Sequence, residues 1–282
     1  MSKPAFSFEF FPAKTEQGHE KLLSTYDELN KLSPAYFSVT YGAGGSTRSR
    51  TLDIVQALSA RSETEIAPHM SCIGDDKAQI AELLEFYKSL GIRRLVALRG
   101  DLPSGQVGMG ELPFAVDLVK FIREYSGDHF HIEVAAYPEM HPQARSFEFD
   151  VDNLVNKYRA GANASITQFF YNADSYLYLR DTLEKRGIDT IAQPLVAGIM
   201  PITNSSNLIR FADSCGADIP RYVRKRLADF GDDSKSIREF GFDVVYRLCE
   251  RLMSEGVPAM HFYSMNKVEP NKRLVEALGL TV

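Results

Sequence analysis

Short runs in which apolar and polar residues alternate recur along the chain, each followed by a longer stretch with apolar residues three and four apart. The runs are AFSFEFF (5–11), YFSVTY (36–41), IAPHMSC (66–72), RLVALRG (94–100), IEVAAY (132–137), SITQFF (165–170), PLVAGIM (194–200) and MHFYSM (260–265). Their period and their β-branched and aromatic content predict eight strands. Between them, Ile80, Leu83, Leu84, Tyr87 and Leu90 predict a helix closed by Gly91. Ile237, Phe240, Val244, Leu248 and Leu252 predict another, closed by Gly256. Strand–helix alternation implies a parallel sheet. No repeat or Pro/Ser-rich linker divides the 282 residues. The expectation is therefore an α/β chain forming a single (β/α)8 TIM barrel over residues 1–282, with extra helices before the last strand. A doubly wound open sheet is the structural rival.

A closed barrel fixes what each strand position does, because successive side chains point to opposite faces. In AFSFEFF the phenylalanines Phe6, Phe8 and Phe10 share the face that packs under helices, which turns Ser7 and Glu9 inward. The same parity sends Phe37, Val39 and Tyr41 outward and Ser38 and Thr40 inward. Polar residues near the strand ends then collect at one mouth: Glu9, Thr40, His69, Asp101, Tyr137, Gln168 and Tyr263. Barrel active sites lie at that face. A lone His69 or Tyr137 is more readily a hydrogen-bonded structural group than a functional one. An inward carboxylate is different, since unpaired buried charge is costly and is kept mostly for a purpose. Glu9 and Asp101, from two different strands, make the mouth a candidate site.

Composition narrows the chemistry. A net charge of -5 argues against a broad nucleic-acid surface. The basic segment Arg221–Arg226 is spaced around Val223 and Leu227 as a solvated helix face. No apolar stretch approaches the ~20 residues of a membrane span, and Glu9 interrupts the apolar N-terminus, so no targeting segment is expected. Cys72, Cys215 and Cys249 are scattered, without a CxxC pair, which is the cysteine usage of a reducing cytoplasm. The Arg99-Gly100-Asp101 triplet is then no adhesion signal, and the sequons at Asn163 and Asn204 carry no glycan.

Several signatures are missing: there is no GxxxxGK[ST] loop, no HExxH and no GxSxG. GAGGST (42–47) follows a strand but has Thr47 at the third glycine position of a dinucleotide fingerprint, so it reads as a flexible loop. His129 and His131 lack an acidic partner in a ligating pattern, and no metal site is expected. Lys267 lies just beyond the last strand; a Schiff-base role stays open, but contact with a substrate carboxylate suits its position better. What remains is a wide, metal-free polar mouth with two carboxylates, suited to an organic cofactor that carries the chemistry itself.

Eight segments, SFEFFPAKT, VTYGAGGSTRSRT, APHMSC, VALRGDLP, VAAYPEMHP, AGANASITQFF, GIMPIT and HFYSMN, together resemble the 5,10-methylenetetrahydrofolate reductase family of the short bacterial type. The resemblance runs from about Ser7 to Leu280. It implies a (β/α)8 barrel that binds FAD without a Rossmann domain. The implied reaction reduces 5,10-methylenetetrahydrofolate to 5-methyltetrahydrofolate by ping-pong hydride transfer, with NADH as the expected donor and NADPH the alternative, and so supplies methyl groups for methionine synthesis. A cytoplasmic homo-oligomer is implied. The regulatory domain of eukaryotic relatives has no counterpart in these segments, so inhibition by S-adenosylmethionine is not expected.

By this resemblance Glu9 is the general acid that opens the folate's imidazolidine ring. Its setting among Phe8, Phe10 and Phe11 is expected to raise its pKa by desolvation. Asp101 resembles the aspartate by the flavin pyrimidine edge and the pterin. Gln168 and Phe211 match folate contacts, and Asn207 and Lys267 match further substrate positions. Thr40, His69, Arg99, Gly100, Ala136, Tyr137, His141, Asp150, Asn153, Lys157 and Ala162 match positions around FAD, with Arg99 and Lys157 at its anionic parts. Three departures stand out. Asn156 replaces an arginine common before the phosphate-side lysine, Asn207 replaces a longer glutamine, and Lys267 replaces arginine and cannot form its bidentate fork.

Overall fold

The protein is described by a computed structural model covering residues 3–41, 45–101 and 110–281. The glycine loop at 42–44 and Leu102-Pro103 of the VALRGDLP segment lie outside the described residues.

The elements alternate as the pattern predicts. They run β1 (Ala5–Phe10), α1 (Glu16–Asn30), β2 (Tyr36–Val39), α2 (Gly45–Ser59), β3 (Glu65–Ser71), α3 (Lys77–Ser89), β4 (Arg94–Leu98), α4 (Ala115–Ser126), β5 (His131–Ala136), α5 (Phe147–Arg159), β6 (Ala164–Thr167), α6 (Ala173–Lys185) and β7 (Leu195–Ile199). Three helices, α7 (Ser205–Cys215), α8 (Arg221–Asp229) and α9 (Ser234–Ser254), precede β8 (Ala259–Tyr263), and α10 (Glu269–Ala277) follows it. All neighbouring strands are parallel, and β8 pairs with β1 to close the barrel. The open-sheet alternative is thereby excluded. The extra helices are α7 to α9, and α8 buries Val223 and Leu227 beneath its basic face.

Helix starts follow from local chemistry. Thr15 Oγ1 accepts from the Gly18 amide at the head of α1, and Asp76 and Gln79 form a reciprocal capping box on α3. Strand parity is as expected. Phe6, Phe8, Phe10, Phe37 and Val39 are buried in the layer between sheet and helices, where Phe10 stacks on Phe37 at 5.4 Å. Each such side chain contributes on the order of 1.5–3 kcal/mol through its burial. A smaller apolar set, Tyr36, Ala67, Val96, Ile166 and Val196, fills the interior.

Below that set, toward the N-terminal ends of the strands, buried Glu133 and half-buried Arg94 and Glu65 are paired. Arg94 reaches Glu65 at 2.8 Å and Glu133 at 2.9 Å, and Tyr36 donates to Glu133 at 2.8 Å. The Arg94 guanidinium also lies over the Tyr36 ring at 4.5 Å. This network plugs the floor of the barrel and leaves the opposite end open.

Candidate active site

The open end is a cavity of about 360 Å³ lined from several strand ends. Glu9 comes from β1, His69 from β3, Tyr137 follows β5, Gln168 follows β6 and Tyr263 ends β8. Helix α7 adds Phe211, Ser214 and Cys215 as one wall. Tyr263 lies across the interior and donates to the Thr167 carbonyl at 2.6 Å. Gly198 makes that path possible: a Cβ there would fall 2.1 Å from the Thr167 oxygen and 2.8 Å from the Tyr263 ring.

Glu9 sits between two imidazoles. His69 Nε2 is 3.2 Å from Glu9 Oε2, and His261 Nε2 is 3.7 Å from the same oxygen. His69 Nε2 is not aligned for a hydrogen bond and has no other partner. His261 is fully buried; its Nδ1 meets Ser7 Oγ at 2.6 Å and its Nε2 meets Ser38 Oγ at 3.0 Å. Register explains the cluster, because Ser7 is the Cα partner of His261 and Glu9 of Ser38 and Tyr263.

The expectation of a raised pKa for Glu9 is overturned. Burial does push the carboxyl up, but His261 and His69 outweigh it and hold Glu9 at about 2. The reason is parity. Phe8 and Phe10 turn away into the helix layer and Phe11 is 43% exposed, so the carboxylate meets histidines rather than phenyl rings.

A second cluster lines the β4–β5–α5 side of the mouth. Arg99 donates to Gln143 at 2.8 Å, and its carbonyl accepts from Ser71 Oγ at 2.8 Å. Gly100 has a φ of 85°, and a Cβ there would lie 1.9 Å from Ser71 Oγ, so the turn carrying Asp101 to the rim requires glycine. Asp101 is exposed, and its charge reaches Tyr137 and His141. Tyr137 packs edge-on against His141 at 4.5 Å. Burial, with Asp150 and Asp101, pushes the Tyr137 hydroxyl up to about 12. Asp150 accepts from the His141 amide at 2.8 Å. Lys157 Nζ donates to the Ala135 carbonyl at 2.5 Å, and burial lowers its pKa to about 8 against the opposing pull of Asp150.

The remaining expected positions divide. Thr40 is half-buried at the exit of β2, and Asn153 is exposed on α5 one turn from Asp150 and Lys157. Asn207 is exposed on α7, where it accepts from Arg210 at 3.3 Å. Exposed Lys267 donates to Thr203 at 3.3 Å beside the mouth. Ala136 faces the helix layer as core, and Ala162 is buried two residues before β6, at the floor end of the barrel and away from the mouth. His261 escaped the sequence reading although its signal was present, since the parity that turns Tyr263 inward turns His261 inward too. Ser214 and Cys215 carried no such signal, because the α7 wall is a matter of tertiary packing.

Comparison with known proteins agrees with this geometry. The family model described as methylenetetrahydrofolate reductase matches residues 1–279. The 5,10-methylenetetrahydrofolate reductase of Pectobacterium carotovorum is 40% identical over 97% of this chain and 90% of its own length. That of Escherichia coli is 38% identical over the same shares. A Clostridium thermocellum protein described as binding two copies of 5-methyl-5,6,7,8-tetrahydrofolic acid superposes with a TM-score of 0.65 at 16% identity, covering 98% of this chain and 93% of its own, a likeness of fold alone. With a family match over nearly its whole length and bacterial relatives near two-fifths identity, the chain belongs to the methylenetetrahydrofolate reductase family of oxidoreductases.

Proposed function

We propose that the protein reduces 5,10-methylenetetrahydrofolate to 5-methyltetrahydrofolate in two half-reactions through FAD, with NADH as donor. The observation that carries the reading is a carboxylate between two histidines at the base of an open cavity, beside a rim of cations and aromatic rings. Bound FAD would supply hydride chemistry, linking the nicotinamide to the folate methylene carbon.

The rim suits such a group. The Lys157 ammonium is desolvated, and its pKa is depressed with a backbone carbonyl as its hydrogen-bond acceptor. A diphosphate would favour the charged form further, and Arg99 offers a second cation. Tyr137, His141, Asp150, Asn153, Gly100 and Thr40 complete the edge. Asp101, exposed at the rim, would supply a fixed negative charge to balance cationic character developing on the pterin. Gln168 and Phe211 hold the folate by hydrogen bonding and stacking, with Asn207 and Lys267 toward its tail.

Glu9 delivers a proton to folate N10 as the C–N bond of the imidazolidine ring breaks, leaving the iminium that accepts hydride. Because the two imidazoles favour the ionised form of Glu9, its proton is supplied through its contacts with His69 and His261, at 3.2 and 3.7 Å. Folate filling the cavity excludes the water that would otherwise compete for that proton.

The test is spectroscopic. Purified protein should be yellow, its flavin band should bleach anaerobically with NADH, and methylenetetrahydrofolate should restore it. A colourless protein that neither binds nor is stabilised by added FAD would refute the reading.

A further inference from the structure

The pairing of β1 with β8 runs as far as Glu9 and Tyr263, and there both strands leave the sheet for the rim of the mouth. The last backbone bond runs from the Ser264 amide to the Glu9 carbonyl at 3.3 Å, and Ser264 Oγ donates to the same oxygen at 2.5 Å. Beyond that point a side chain continues the pairing. Asn266 Nδ2 donates to the Phe11 carbonyl at 2.8 Å, and the Phe11 amide donates to Asn266 Oδ1 at 3.1 Å. One primary amide thus takes both backbone groups of a residue that has left the sheet, as a neighbouring strand would.

The loop that carries Asn266 is held in an uncommon shape. Met265 and Asn266 both adopt left-handed backbone, with φ of 53° and 52°. Asparagine enters that region readily and methionine seldom does, so the surroundings must hold the pair there. Ser264 Oγ accepts from the Asn266 amide at 3.1 Å. Fully buried Asn271 donates through Nδ2 to the Ser264 carbonyl at 3.0 Å and to the Lys267 carbonyl at 2.7 Å. On the other side of β1 the Thr40 amide donates to the Phe10 carbonyl at 2.9 Å. Residues 9 to 11 are therefore gripped in succession from β8, from the exit of β2 and from Asn266, which makes the outermost grip. Met265, just before it, lines the mouth together with Glu9.

We propose that Asn266 is a positioning residue for Glu9: its clasp on Phe11 fixes the exit of β1, and with it the reach of the carboxyl group into the mouth. Proton transfer requires heavy atoms about 2.6–3.2 Å apart, so play of about 1 Å at the exit of β1 matters to this step. Reduction of the flavin by NADH uses no proton from Glu9 and tolerates that play. This role rests on the folate reading above and deepens it.

Stopped-flow absorbance of the two half-reactions on the FAD-loaded protein, at saturating folate, tests it. Asn266→Gly keeps the left-handed backbone accessible and removes both bonds to Phe11. Reoxidation by methylenetetrahydrofolate should slow by about tenfold to 10²-fold, the cost of a reacting group misplaced by about 1 Å, while bleaching by NADH stays near the wild-type rate. Asn266→Asp keeps the shape and the acceptor for the Phe11 amide but loses the donor, and should slow reoxidation less. Val223→Ala, which removes buried bulk beneath α8 far from β1, should lower the melting temperature and leave the ratio of the two rates at its wild-type value. A wild-type ratio in Asn266→Gly, equal slowing of both half-reactions, or the same asymmetry in Val223→Ala would overturn the proposal while the folate reading stands. If methylenetetrahydrofolate fails to reoxidise even the wild-type flavin, both fall together.

Discussion

Replacing Glu9 by Gln separates the proton step from the electron steps. The amide keeps the size of the carboxylate and its place between His69 and His261, yet it cannot pass on an acidic proton. Bleaching of the flavin by NADH involves no folate N10 and should proceed at close to the wild-type rate. Reoxidation by methylenetetrahydrofolate should slow by at least the ~10²–10⁴-fold typical of a lost general acid, a barrier increase of roughly 3–5 kcal/mol. The structure adds a second consequence. Glu9 is held at about 2, below its ordinary 4.5, so the folded state prefers its ionised form. That preference contributes on the order of 3 kcal/mol, present above the unfolded value and lost as pH falls through about 4.5 toward 2. Glu9→Gln should therefore flatten the acid limb of the stability curve in that window. Stopped-flow absorbance of each half-reaction, with urea denaturation from pH 6 down to 3, reads both effects. Equal slowing of both half-reactions would make Glu9 a flavin-positioning residue. No slowing in either would remove the inward-facing carboxylate from the chemistry altogether.

Other substitutions probe its surroundings. Lys157→Ala should raise the FAD dissociation constant by ~10-fold or more, as expected for a lost charge-assisted hydrogen bond; flavin content unchanged after extensive dialysis would take Lys157 out of the site. Asp101→Asn should raise the flavin midpoint potential and slow transfer to folate while NADH bleaching survives. A potential equal to wild type would place the carboxylate away from the ring. His261→Gln removes one of the two imidazoles that depress Glu9, so the Glu9 pKa rises and the acid limb of the reoxidation rate moves to higher pH. An unmoved limb, with only the melting temperature lowered, would leave His261 a structural residue.

The barrel was legible because its period-2 and period-3.6 signals are local and repeat eight times, and because parity converts strand position directly into inside or outside. That logic correctly turned Glu9 inward and the phenylalanines of β1 outward. It misjudged the carboxyl's pKa by counting sequence neighbours: Phe8 and Phe10 adjoin Glu9 in the chain but occupy the opposite face of the sheet. The groups that do surround it come from β3 and β8, and the contacts of His69 and His261 depend on register, which the sequence does not print. The clasp of Asn266 on Phe11 was invisible for a related reason. The two residues lie 255 positions apart in the chain, and Asn266 alone is an ordinary polar residue beyond a strand.

The two ends of the barrel show why one buried carboxylate reads as structure and another as chemistry. At the floor, Glu133 accepts from Arg94 at 2.9 Å and from Tyr36 at 2.8 Å, so both its oxygens are held by aligned donors in a closed space. A buried ion pair satisfied in this way has little left to offer a ligand. At the mouth, Glu9 faces an open cavity, and its histidines stand at 3.2 and 3.7 Å without completing the hydrogen bonds that would fix a proton. One fold thus pays for buried charge twice, with opposite results. The floor uses its donors to lock strands β2 to β5 together, while the mouth keeps an oxygen, two imidazoles and a cavity wide enough for a third partner, which is what the proposed proton transfer to folate needs.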